Sequence, residues 1–213
     1  MNIVHLSRDD PRYPASLKIH LVDETPDLVA ALGNIDILKQ KKLAFFCSVN
    51  CPGHLILKTY DLAQRLKEAS ITVIGGFHSP IERECLRILL RGTQPIIVCP
   101  PRSIQGIRMR AEYKKPIEKG RLLLLSHFKE SQKRNTVETA NERNRFVAAL
   151  SNLVLVAYAA PNSKTEQFCK EMLSWRKSLY TLESDANANL IKLGARPIQL
   201  EKLVTKLKEN GRE

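Results

Sequence analysis

Six short, nearly all-apolar runs recur at intervals of about 25 to 30 residues, and no other feature restricts the fold as strongly. They are "LAFFCSV" (43–49), "ITVI" (71–74), "PIIVC" (95–99), "LLLLS" (122–126), "LVLVA" (153–157) and "SLYTL" (178–182). The interval is the length of a strand, a helix and two loops. A strand without polar alternation is buried on both faces, which requires a sheet covered by helices on either side. The expected architecture is therefore α/β, a mainly parallel sheet of about six strands between helices.

The segments between these runs carry helical signals. "LKTYDLAQRLKEA" (57–69) spaces Tyr60, Ala63, Leu66 and Ala69 as a helix would. "SPIERECLRILLRG" (79–92) has Ser79 to cap, Pro80 at the first helical position, Glu82 to close a capping box and Gly92 as a stop. "SKTEQFCKEMLSW" (163–175) repeats the box with Ser163 and Glu166, and "LEKLVTKLKEN" (200–210) reads as a last amphipathic helix. The proline-punctuated front, "DDPRYPASL" and "ETPDLVAALGN", is too short for strand–helix units. It is expected to form a helical or irregular arm, residues 1–40, lying on a main domain of residues 41–213.

Charge points to the partner. The chain carries 34 Lys and Arg against 22 Asp and Glu, a net charge of +12. Between residues 102 and 145 there are twelve Lys or Arg and five Glu with no Asp, so over half the surplus sits in about a fifth of the chain. Such a concentration indicates an anionic ligand, nucleic acid or nucleotide. A hydrophobic fraction of 43% argues against disorder. No apolar run approaches the roughly 18 residues of a membrane span, and the start resembles no secretory signal. Five cysteines at 47, 51, 85, 99 and 169 form no disulfide framework. These features together predict a cytoplasmic protein. Cys47, Cys51 and His54 fall short of the four ligands of structural zinc, so no metal is expected.

The order of these pieces resembles the DprA (Smf) family of DNA-processing proteins, whose core is a Rossmann-like domain related to the cytokinin-activating LOG enzymes. The resemblance runs through "YPASL" (13–17), "PDLVAALGN" (26–34), "VIGGFHSPIERECL", "KGRLLLLSHF", "ERNRFVAALSNLVLVAYA" and "NANLIKLGARPI". The sequence departs from the family pattern in four places. Cys47-Ser48-Val49-Asn50 replaces a glycine and an arginine, Ser79-Pro80-Ile81-Glu82 replaces Gly-Ile-Asp, His127 stands for an acidic residue, and Asn162 for a glycine. The resemblance implies a Rossmann-like fold and a single-stranded-DNA-binding protein of DNA uptake, transformation or recombination, with a recombinase as a possible partner and a homodimer as a possible assembly. No winged-helix domain is expected after it. The alternative is a nucleotide-derivative binder or a LOG-like nucleoside-monophosphate phosphoribohydrolase.

In an open parallel sheet the ligand lies beyond the carboxyl ends of the strands, where strand order reverses. The candidate phosphate-binding residues therefore come from the turns. Ser48, Asn50 and Gly53 follow the first run, and Gly75, Gly76 and Ser79 follow the second. Ser163, Lys164 and Thr165 open the helix after the fifth, where an anion is favoured. Glu82 and Glu166 read as capping residues rather than catalysts, so no catalytic residue and no cofactor are assigned. The triplet Arg143-Asn144-Arg145 completes the set. Its arginines lie about 200° apart around a helix, so only one of them faces the ligand. Arg143, nearer the helix start, is expected to be that one, with Arg145 holding the scaffold and Asn144 bridging loop backbone. Phe77, Tyr113 and Phe128 are the candidate surfaces for base stacking.

Overall fold

The computed structural model of the protein describes residues 2–199. The six expected strands all form: β3 (Lys42–Phe46), β4 (Thr72–Gly75), β5 (Ile96–Val98), β6 (Leu122–Ser126), β7 (Leu153–Val156) and β8 (Ser178–Leu182). Three more join them, β1 (Val4–Ser7), β2 (Leu28–Gly33) and β9 (Arg196–Ile198), so the sheet has nine strands in the order β1-β2-β6-β5-β4-β3-β7-β8-β9. From β6 to β9 every pairing is parallel; β1–β2 and β2–β6 are antiparallel. This is the Rossmann-like architecture the resemblance implied.

The front of the chain corrects one expectation. Residues 4–33 are not an irregular arm but supply two strands of the same sheet, joined by α1 (Ala15–Leu21). β1 is the edge strand and β2 lies between it and β6, and both have interrupted burial patterns. That lost the continuous apolar signature by which the central strands were recognised. The helix expected over 200–210 lies outside the described residues.

Helices α2 (Gly53–Leu66), α3 (Pro80–Leu90) and α4 (Ala111–Glu118) cover one face of the sheet. The other face is covered by α1, α5 (Val137–Leu150), α6 (Lys164–Ser174) and α7 (Ala188–Leu193). Alternate residues of each central strand feed the two cores: Leu43, Phe45, Leu122 and Leu124 go to the first, Ala44, Phe46, Leu123 and Leu125 to the second. This alternation, apolar on both sides, is why the strands lack polar residues.

Caps place the helix starts. Ser79 and Glu82 form the expected box with Pro80 behind the cap. At α6, Ser163 accepts from the Glu166 N–H, but the Glu166 carboxylate takes the Asn162 N–H instead of closing the box on Ser163. Thr136 and Thr139 make an unforeseen box at α5. Because β3 has β4 on one side and β7 on the other, the chain changes direction there. A ligand crevice belongs at the carboxyl ends of these two strands.

Candidate nucleic-acid interface

A cavity of about 420 Å³ opens at that switch point. Cys47 and Val49 line it from the turn after β3, and His78, Ser79 and Glu82 from the turn after β4. Asn144 and Arg145 enter from α5, Lys164 and Thr165 from α6. Three of these four segments bring five of the sequence-selected residues, Ser79, Asn144, Arg145, Lys164 and Thr165, onto one surface.

The remaining selected residues sit elsewhere. Ser48 is buried, with its hydroxyl oxygen lacking a hydrogen-bond partner among the described residues, and Asn50 is exposed. Gly53 begins α2, and an added Cβ there would meet nothing within 4 Å, so no close approach demands a glycine. Gly75 ends β4 against the Phe77 ring. Ser163 is engaged as the α6 cap. Neither Gly75 nor Gly76 has a positive φ, which falls instead on Phe77 (φ 48°). Asn162 takes the left-handed conformation (φ 61°), which explains how it stands in for a family glycine, since asparagine tolerates that region better than most residues.

The arginine expected to face the ligand is the buried one. Arg143 is only 3% exposed; its Nη1 donates to the Cys99 carbonyl (3.2 Å) and its Nε to Asn144 Oδ1 (2.9 Å). Its guanidinium fills the space above Gly76, where a Cβ would lie 1.3 Å from Nη1. Gly76 is therefore a seat for Arg143, and it also lines the second cavity described below. Arg145 reaches the cavity, its Nε bonded to Glu171 (2.6 Å), Nη1 to Glu24, and its guanidinium 5.7 Å over the Trp175 ring. The difference arises because β4 and its glycines pass closest to the first arginine, a contact between segments nearly seventy residues apart.

Both acidic residues of the turns are used internally. Glu82 is buried and accepts from the backbone N–H of Cys47 (2.9 Å), His78 (2.8 Å) and Ser79 (3.3 Å). Burial pushes its carboxyl up, while these N–H groups and the nearby Arg143 charge hold it down. Glu82 thus occupies the α3 terminus that a ligand phosphate would otherwise take. Glu166 accepts from Asn162 N–H and Asn189 Nδ2, which hold its carboxyl below the usual range. Neither acid stands free for base chemistry.

A second cavity, about 190 Å³, adjoins the first through His78, at the ends of β4, β5 and β6. Arg83, Arg102, Arg108 and Arg110 line it together with Asn135, and no Asp or Glu does. All four arginines are exposed, and only Arg110 pairs with a carboxylate among the described residues, Glu112 at 3.5 Å. Sequence reasoning placed charge in residues 102–145 but named none of these arginines; the local surplus was the signal available. Arg83 lies outside that segment and arrives through α3. Phe77 and Tyr113 edge this cavity, but both are buried, and Phe128 packs on His127. This corrects Phe77 and Tyr113 as open stacking platforms.

His127 itself lies against Phe128 and Phe146, with ring centroids 4.1 and 4.4 Å away, and its Nδ1 has no hydrogen-bond partner among the described residues. Burial lowers its pKa from 6.5 to about 4. The unfolded chain therefore binds this proton first as pH falls, so stability is full above 6.5 and is lost progressively towards 4. Melting temperatures measured from pH 7 to 4 should show that decline, and His127→Phe should flatten it. An unchanged decline in the variant would place the titration elsewhere.

Comparison with known proteins agrees with this construction. The family model for DNA recombination-mediator protein A matches residues 4–208. No individual curated protein matches the chain significantly in sequence. DNA processing protein A from Streptococcus pneumoniae superposes with a TM-score of 0.78 at 19% identity, covering 97% of this chain and 75% of that one. The Helicobacter pylori protein, described for its single-stranded DNA binding mode, gives 0.79 at 19% identity, covering 100% and 98%. The molybdenum cofactor carrier protein of Chlamydomonas reinhardtii gives 0.54 at 9% identity over 80% of this chain and 97% of that one, a likeness of fold alone. With a family match over nearly its whole length and the matching sheet beneath it, the chain belongs to the DNA recombination-mediator protein A (DprA) family.

Proposed function

We propose that this protein is a DNA-processing protein that binds single-stranded DNA across the two adjoining cavities. The observation that carries the reading is the second cavity, where four arginines converge without a carboxylate in its lining. Guanidinium forks engage phosphate oxygens in pairs and are weakly hydrated, which suits a backbone track. The first cavity extends the track with Lys164, Thr165 and Asn144. With Phe77 and Tyr113 buried, binding rests on phosphate contacts and has weak sequence preference. Family membership and the single-stranded DNA binding described for the Helicobacter pylori protein support the same ligand. Cytoplasmic residence, a recombinase partner and self-association belong to this reading. No helix among the described residues is long and apolar enough to cross a membrane.

The double change Arg102→Ala/Arg108→Ala tests it. Both side chains are exposed and neither bonds a described residue through its guanidinium, so the melting temperature should hold. Affinity for a fluorescent oligothymidylate, read by anisotropy, should fall by about tenfold or more, since charge-assisted hydrogen bonds are worth about 1.5–3 kcal/mol each. Wild-type affinity in this variant would remove the second cavity from the interface.

A further inference from the structure

The opposite end of the sheet carries a second concentration of positive charge. A cavity of about 360 Å³ lies at the amino ends of β3, β7 and β8, lined by Lys42, Lys177, Arg176, His20 and the serines 16, 151 and 178, among others. No Asp or Glu lines it. Lys42 and Lys177 are 7% and 9% exposed, an unusual state for an ammonium that lacks a carboxylate. Among the described residues neither lysine, nor Arg176, forms an ion pair.

Carbonyl oxygens hold both ammonium groups in place. Lys42 Nζ donates to Leu38 O (2.8 Å) and Gln40 O (2.7 Å), and Lys177 Nζ to Ala149 O (3.3 Å) and Ser151 O (2.7 Å). An ammonium has three N–H donors, so each lysine retains one after these bonds. The carbonyls at the α5 end lower the cost of burying Lys177 but do not cancel a full charge. Burial brings both lysines down to about 8, with Lys177 further lowered by the Lys42 charge. A bound anion would relieve that repulsion.

We infer that this cavity is a second anion site, which takes a phosphate group between Lys42 and Lys177 with Arg176 at its mouth. Three cationic side chains match a phosphate dianion better than a single carboxylate, and the hydroxyls of Ser16 and Ser178 supply further donors to its oxygens, that of Ser151 being spent on the Ala148 carbonyl. The site is separate from the interface proposed above, since it lies at the other ends of the strands. Its ligand is a free phosphate, a mononucleotide or a phosphate of a nucleic acid strand; these share the recognised chemistry.

Titration calorimetry and thermal unfolding with inorganic phosphate, against chloride at equal ionic strength, test the site. The Arg102→Ala/Arg108→Ala protein is the background, so that binding at the proposed DNA interface is set apart. Phosphate should bind saturably and raise the melting temperature in that background. Adding Lys42→Met and Lys177→Met should abolish the effect. In case those changes prevent folding, Arg176→Gly provides a second variant: Arg176 is exposed at φ 58°, a conformation glycine accepts without strain. It should weaken phosphate binding by about tenfold, the loss of one charge-assisted contact. Parallel titrations with a nucleoside monophosphate and a 5′-phosphorylated oligonucleotide identify the source by whichever binds most tightly. Non-saturable phosphate binding, or binding that survives both the lysine changes and Arg176→Gly, overturns the assignment.

Discussion

Arg143→Ala should destabilise the protein by about 3–5 kcal/mol, the usual result of removing one partner from a buried charged arrangement. For a chain of this size that corresponds to a fall of roughly 6–20 °C in melting temperature. Three losses combine. The Cys99 carbonyl and Asn144 Oδ1 lose their donor, the space above Gly76 empties, and the buried Glu82 carboxylate loses the nearby positive charge that favours its ionised form. The effect should spread to the turn after β3, because Glu82 holds the Cys47 N–H. Gly76→Ala attacks the same packing from the other side, since its methyl would occupy the guanidinium position. Arg145→Ala should cost much less, as Arg145 is partly exposed and its partners Glu24 and Glu171 return to water. Urea unfolding of the three variants measures this order. Equal stability of Arg143→Ala and wild type would show that the buried guanidinium is dispensable.

Affinity for single-stranded DNA should fall steeply with salt. If the four arginines of the second cavity each neutralise one phosphate, the slope of log K against log salt is roughly −2.8, from about −0.7 per phosphate on a single strand. A tenfold rise in salt then weakens binding by about 600-fold. The Arg102→Ala/Arg108→Ala protein should show about half that slope. Anisotropy titrations at several salt concentrations supply both values. A slope near zero in the wild type would mean that the arginines do not contact phosphates, whatever the affinity.

The sequence by itself determined the layered α/β plan and the end of the sheet at which to look. Those signals are local: an apolar run of four to seven residues declares a doubly covered strand, and Ser79-Pro80 with Glu82 declares a helix start through bonds closed within one turn. β1 and β9 were missed because edge strands show water one side and so lose the uniform apolar run, and β2 because it lies in the proline-punctuated front and its burial is interrupted. The roles of Arg143 and Arg145 were equally out of reach. Helical geometry separates their directions, but which direction is interior depends on Gly76, just after β4, leaving room for a guanidinium. Arg83 joins Arg102, Arg108 and Arg110 only because β4, β5 and β6 are neighbours. Lys42 and Lys177, 135 positions apart, meet because β3, β7 and β8 start at the same edge. Charge surplus is a sum over the chain, whereas an electrostatic site requires distances of a few ångströms, and strand order alone sets these.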